Sequence, residues 1–144
     1  QQLDIMPTLL ELCGIPIPPT VEGVSLAVAV REGREPDIPA ALIQCIHPFG
    51  GWHKFAGGRE YRGVRTRRYT YARGLEGPWL LYDNQEDPYQ LVNLLEGEPN
   101  PAPLKELEDM LFELLRRRGD PFLPGRAYLE RWGYRPNFLG TLPF

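Results

Sequence analysis

The sequence is short of several things, and each shortage excludes a class. Its 144 residues hold two cysteines, too few to staple a disulfide-dependent miniprotein. No apolar run approaches the roughly 18 residues that a membrane-spanning helix needs. Basic residues number 16 against 19 acidic ones, for a formal net charge of -3. A nucleic-acid-binding module normally carries the opposite excess, so no nucleic-acid partner is expected. The chain opens Gln1-Gln2-Leu3-Asp4, without an initiator methionine, a basic leader or an apolar signal core. It enters a helix signal almost at once, and we expect a piece of a longer protein.

What is present reads as an ordinary folded chain, with 42% hydrophobic and 24% charged residues and a length that suits one domain. Fifteen glycines and sixteen prolines predict many turns. Residues 4–14 have the marks of a short helix: Asp4 as N-cap, Pro7 in the first turn, and Gly14 at the left-handed position after the end. Ile5, Leu9, Leu12 and Cys13 fall on one face at the spacing of a buried stripe. Residues 15–23 are a loop. Residues 24–30 fit either a turn of helix or a covered strand. The polar run 31–39 is the best domain boundary.

Beyond it the pattern turns to β. Residues 41–47, 61–66, 69–73 and 79–82 predict four strands, the second and third joined by a tight turn at Arg67-Arg68, the last two by residues 74–78. Strands this close in sequence must pair antiparallel, because a parallel crossover needs a dozen or more residues. Asn100-Pro101 then opens the clearest helix. Leu104, Leu107, Leu111, Leu114 and Leu115 form its apolar stripe, acidic residues sit early, Arg116 to Arg118 sit late, and Gly119 closes it. The expected fold is α+β: an antiparallel sheet of about four strands packed on one long helix. The last 25 residues, 120–144, mix prolines with Phe122, Tyr128, Trp132, Tyr134, Phe138 and Phe144, and predict an arm laid on some other surface.

Four segments, in order, resemble the C-terminal end of a type I sulfatase of the alkaline phosphatase superfamily. Asp4-Ile5-Met6-Pro7-Thr8-Leu9-Leu10-Glu11-Leu12-Cys13-Gly14-Ile15 is similar to that family's last large-domain helix. Gly23-Val24-Ser25-Leu26 resembles its G-x-S-L turn. Tyr61-Arg62-Gly63-Val64-Arg65-Thr66 followed by Arg67-Arg68-Tyr69-Thr70-Tyr71 resembles its R-x-V-R-T-x-x-Y-K-Y hairpin. Leu81-Tyr82-Asp83 with Glu86-Asp87-Pro88-Tyr89-Gln90-Leu91-Val92-Asn93-Leu94 resembles its L-Y-D-L-x-x-D-P-x-E-x-x-N-L stretch. The departures are Val24 where Arg is usual, Thr70 where Lys is usual, and Gln90 where Glu is usual.

The resemblance implies that residues 1–39 are the tail end of an N-terminal α/β catalytic domain, with the first helix left over from it. Residues 40–119 become a C-terminal subdomain and 120–144 its arm. For the parent it implies hydrolysis of a sulfate ester, with a formylglycine nucleophile and a calcium ion, on a sulfated small molecule or glycan. Those groups belong to the large domain. Neither Cys13 nor Cys45 has the C/S-x-P-x-R context, so no catalytic residue and no metal ligand is assigned to this chain, which alone is expected to be inactive. Two alternatives remain: a phosphodiesterase or phosphonate monoester hydrolase of the same superfamily, and a non-catalytic interaction module. The isolated fragment is expected to expose Leu9, Leu10 and several tail aromatics, and to dimerise.

The same resemblance places the C-terminal subdomain at the border of the substrate cleft. On that basis the loop bearing His47, Trp52, His53 and Lys54 becomes a candidate cleft rim, contacting the carrier of the sulfate by ring stacking and cationic hydrogen bonds. The plain alternative is a solvated glycine-rich loop with a buried Trp52. As a metal pair His47 and His53 are poorly spaced, and no cysteine or carboxylate joins them. Arg59, Arg62, Arg65, Arg67, Arg68 and Arg73 read as the solvent side of a half-buried hairpin, with Asp83, Glu86 and Asp87 as nearby partners. Asp83 and its neighbours read as strand exit and turn rather than acid–base chemistry. The cysteines read as buried free thiols, with a disulfide left open.

Overall fold

The computed structural model describes residues 2–97 and 102–142. The chain divides into two compact units, Gln1–Pro39 and Ala40–Phe144. Among the described residues no helix is long and apolar enough to cross a membrane.

In the first unit, a 3-10 turn at Gln2–Asp4 runs into helix α1, Ile5–Leu12, and a loop leads to helix α2, Ala27–Glu32. Gly14 takes φ +70 after α1, the expected left-handed stop. Asp4 does not cap the helix. Its backbone is already helical and its side chain makes no capping bond. Instead, the Val24 N–H donates to Asp4 Oδ1 at 3.0 Å, and the Leu26 N–H donates to Thr8 Oγ1 at 2.9 Å. The loop is thereby tied to the polar side of α1, where Asp4 and Pro7 are buried. Gly23 fits this close crossing because a Cβ there would meet Leu3 O at 2.0 Å. The expected buried stripe is turned away from that side, so Ile5, Leu9, Leu12 and Cys13 are all exposed.

In the second unit, strands β1 (Ala41–Cys45), β2 (Tyr61–Arg65), β3 (Tyr69–Gly74) and β4 (Gly77–Asp83) form one sheet in the order β1-β2-β3-β4. Every neighbouring pair is antiparallel. Thr66 Oγ1 accepts the N–H groups of Arg68 at 3.2 Å and Tyr69 at 2.8 Å, which closes the first tight turn. The last turn is tighter than expected: Gly74 pairs with Gly77, leaving Leu75-Glu76 between them. Leu42, Val64, Tyr71 and Leu81 lie in one cross-strand row.

Helix α3 covers Leu94–Gly97 and helix α4 covers Pro103–Arg117. The helix start expected at Asn100-Pro101 lies outside the described residues. Leu104, Leu107, Leu111 and Leu115 of α4 join Val64, Tyr71 and Leu81 in one buried cluster, with Leu114 at its edge. Each such side chain contributes about 1.5–3 kcal/mol by leaving water. Sheet and helix also share a polar clamp, since Tyr71 OH donates to Glu108 Oε1 at 2.9 Å and Arg73 Nη1 donates to it at 2.6 Å. Burial, reinforced by Glu108, pushes the Tyr71 hydroxyl far above its ordinary pKa. Gly119, at φ +62, ends the helix.

The C-terminal segment departs from the expected arm on a foreign surface. It carries helix α5, Gly125–Trp132, and folds back onto its own unit. The Gly125 N–H donates to Glu60 Oε2 at 2.7 Å, and the Gly50 N–H donates to Leu139 O at 2.8 Å. Trp132, Tyr134 and Phe138 stay exposed; Phe144 lies outside the described residues.

Candidate functional site

The loop between β1 and β2 is built by local closure rather than by regular pairing. Two 3-10 turns, Gly50–Trp52 and Lys54–Ala56, fold it into a compact knot. Gly57 takes φ +88, and a Cβ on the buried Gly58 would lie 1.9 Å from Trp52 O. Only glycine allows the strand to leave the loop so tightly.

The four rim residues do not converge on one point. Trp52 is 41% exposed rather than buried and meets Tyr61 edge-on, with ring centroids 6.2 Å apart. His53 packs against Phe55 at 6.1 Å. His47 lies beside the C-terminal segment, where a Cβ on Gly140 would come within 3.2 Å of its Nε2. Nδ1 of both His47 and His53 is buried without a hydrogen-bond partner. Lys54 alone of the four lines a cavity of about 670 Å³, together with Arg59, Glu60, Glu76, Trp79 and Arg126.

The six arginines separate into different jobs. Arg68 pairs with Asp83 through Nη2 at 2.8 Å, as the sequence reading expects, and that hydrogen bond holds the Asp83 carboxyl below its usual range. Asp83 Oδ1 also accepts the Gln85 N–H at 3.1 Å, the turn role predicted for it. Arg62 is a correction, because its side chain is 1% exposed and pairs with Asp120 at 2.6 Å. It stands on the same strand face as Val64, two residues on, and there it reaches the C-terminal segment. Arg73 takes Glu108 in place of the acidic turn residues. Arg59 sits over the Trp79 ring at 5.2 Å.

The sequence reading also missed Asn93. Its Oδ1 accepts the Leu81 N–H at 3.0 Å and its Nδ2 donates to Trp79 O at 3.2 Å. One amide side chain thus supplies the donor and acceptor that a fifth strand would offer the β4 edge. The signal was the Asn of the family-like N-L pair.

Neither thiol is arranged as a nucleophile. Cys13 is exposed and free, which corrects the buried reading, and Cys45 is free and half-buried. Burial, then the nearby Glu60 carboxylate, raises the Cys45 thiol above its usual pKa and keeps it protonated. Among the described residues no group of three or more His, Cys, Asp or Glu is placed to hold a metal ion. The donor set a calcium ion requires, six or more oxygens, is therefore not supplied by these residues, and no chemical step is derived through one.

Residues 1–117 match a family model described as N-sulphoglucosamine sulphohydrolase, C-terminal. An ulvan-active sulfatase of Formosa agariphila is 39% identical over 132 residues, covering 91% of this chain and 25% of the relative. A protein solved in complex with its substrate, D-glucosamine-2-N,6-O-disulfate, superposes with a TM-score of 0.68 at 25% identity, over 85% of this chain and 25% of that one. A phosphonate monoester hydrolase of Agrobacterium radiobacter superposes with a TM-score of 0.53 at 25% identity, over 81% of this chain and 24% of that one. The chain thus spans about a quarter of the length of the proteins it matches.

Proposed function

The chain belongs to the N-sulphoglucosamine sulphohydrolase C-terminal family, and we propose that it forms the C-terminal part of a sulfatase acting on a sulfated glycan. The observation that carries this reading is the 39% identity to an ulvan-active sulfatase across 91% of the chain. The phosphonate monoester hydrolase likeness is weaker, at TM-score 0.53 against 0.68, and the sulfatase reading is preferred. In the parent, a formylglycine would supply the nucleophile and a calcium ion the charge that steadies the sulfate, both held by residues outside those described.

This chain's own contribution is binding and cover. The loop of His47, Trp52, His53 and Lys54 offers one exposed ring and one exposed ammonium toward a sugar and its anionic groups. The apolar face of α1 is the seat of the larger domain. The sheet and α4 form the rigid platform that holds the loop.

The test is expression of the protein encoded by the complete gene, beside the 144-residue chain. The longer protein is expected to release sulfate from a sulfated oligosaccharide, and the chain alone to give no turnover of an aryl sulfate above blank. Turnover of a phosphonate ester in preference to any sulfate ester by the longer protein would overturn the reading.

A further inference from the structure

The cavity of about 670 Å³ beside the β3–β4 turn is lined by more cations than carboxylates. Lys54 and Arg59 line it, and among the described residues neither is in an ion pair; Arg59 is held only by its contact with the Trp79 ring. The third cation, Arg126, pairs with Glu130 at 2.7 Å, but both side chains are well exposed, at 86% and 65%. An exposed i, i+4 pair of this kind is only weakly stabilising, so Arg126 is readily recruited elsewhere.

The lining carries three cations, Lys54, Arg59 and Arg126, against two carboxylates, Glu60 and Glu76, so a positive excess remains. Glu60 is occupied by the Gly125 N–H at 2.7 Å, and Glu76 stands exposed in the β3–β4 turn. A carboxylate is an acceptor only, suited to sugar hydroxyls. Trp79 is itself fixed, with its carbonyl accepting from Asn93 at 3.2 Å and its ring packed on Tyr61 at 5.8 Å. Arg59 therefore stands on a rigid aromatic support inside a concavity, which pre-organises its fork of donors for an oxyanion. A purely apolar ligand would leave Lys54 and Arg59 facing it without a counter-charge.

We propose that this cavity binds an anionic group, sulfate or carboxylate, of an acidic glycan, with Arg59 and Lys54 as its ligands and Arg126 closing on it from α5. The inference deepens the sulfatase reading by giving the substrate a second point of attachment.

The test is a titration of the 144-residue chain, followed by the indole N–H resonances, with a heparin-derived tetrasaccharide, its desulfated and N-acetylated counterpart, and inorganic sulfate. The Trp79 signal is expected to move with the tetrasaccharide. Arg59→Ala is expected to weaken binding at least tenfold and Arg59→Lys to weaken it less, while Arg31→Ala, in the other unit, leaves it unchanged. Movement with the desulfated glycan identifies the carboxylate as the recognised group. An unmoved Trp79 signal, equal affinity in Arg59→Ala, or equal response to inorganic sulfate alone overturns the proposal. Turnover of a small aryl sulfate by the longer protein is read separately, so the sulfatase reading and this one fail in different assays.

Discussion

Gln90 donates from Nε2 to Thr70 Oγ1 at 3.0 Å, and these are two of the three positions at which the sequence departs from the sulfatase pattern. Where that pattern has Lys and Glu, this chain has a neutral pair in direct contact, so the two positions are expected to be energetically coupled. Both side chains converge on Asn84, whose Oδ1 accepts from Thr70 Oγ1 at 3.0 Å and from Gln90 Nε2 at 2.8 Å. Arg65 Nη1 donates to the same Thr70 hydroxyl at 3.1 Å.

Thr70→Lys alone is expected to destabilise by about 1–3 kcal/mol, because it buries an ammonium beside Arg65 and removes the hydroxyl that accepts from Arg65 and Gln90. Adding Gln90→Glu is expected to recover most of that loss, giving a coupling energy of at least about 1 kcal/mol in a double-mutant cycle. Urea unfolding of the four variants measures it. Additive losses would mean that the two positions change independently.

Arg62 sits where one side chain fastens the C-terminal segment. Its Nε donates to Asp120 at 2.6 Å and its Nη1 to Tyr61 O at 3.1 Å, while the Phe122 and Tyr128 rings flank the guanidinium at 4.9 and 5.8 Å. Tyr128 OH also donates to Asp120. Removing one partner of such a buried pair leaves the other charge uncompensated, so Arg62→Ala is expected to cost about 3–5 kcal/mol. Arg62→Lys should rescue little, since an ammonium cannot reproduce the fork. Equilibrium denaturation at neutral pH checks both.

The same pair sets an acid limit. Burial pushes the Asp120 carboxyl up, but bonds from Arg62, Tyr128 and the Phe122 N–H together outweigh it and leave the carboxyl below its ordinary value. A depressed native value means stability that is present above the unfolded value, about 3.9, and is lost as pH falls from there through the native one. The fall in unfolding midpoint below about pH 4 should therefore be shallower in Asp120→Asn, which starts from a lower midpoint. An unchanged slope would show that other carboxylates govern the acid limb.

Local rules recovered the sheet and the long helix because both are written in short-range patterns. The hairpin turns are marked by Thr66 and by the Gly74 and Gly77 pair, and the α4 stripe repeats at helical spacing. The C-terminal segment was read as a free arm because its anchors are distant in sequence: Arg62 and Asp120 are 58 residues apart, and Glu60 and Gly125 are 65 apart. Arg62 reads with the solvent-facing arginines on its charge, although its spacing of two from Val64 puts it on the covered face, where pairing with Asp120 holds it. The candidate loop was legible as aromatic and cationic, whereas its cavity was not, because Arg126 joins it from α5 and Trp79 from β4.

Gly125 shows how closely the last helix approaches the sheet. A Cβ there would lie 2.1 Å from Ile46 O, a backbone atom that cannot swing aside. Gly125→Ala is therefore expected to lift α5 and break the Glu60 bond while leaving α4 on the sheet. Hydrogen exchange should show faster exchange across residues 125–132 and unchanged protection in α4. Equal protection of α5 in both proteins would mean that the helix docks without the close approach.

The first unit makes the fragment reading testable. Ile5, Met6 and Leu9 are 57%, 53% and 57% exposed, and with Leu10, Cys13 and Ile15 they line a groove of about 520 Å³. A contiguous apolar face of this kind marks an interaction surface, while Asp4 and Thr8 secure the opposite side of the helix. The chain alone is expected to self-associate through this face, and Leu9→Asp to return it to monomer without moving its unfolding midpoint. In the longer protein the same substitution would place a carboxylate inside an apolar contact and lose about 2–4 kcal/mol or more. Sedimentation velocity on the chain and thermal unfolding of the longer protein read the two effects. If Leu9→Asp is silent in both, the face is open to solvent in the parent, and the placement of the larger domain on α1 is wrong.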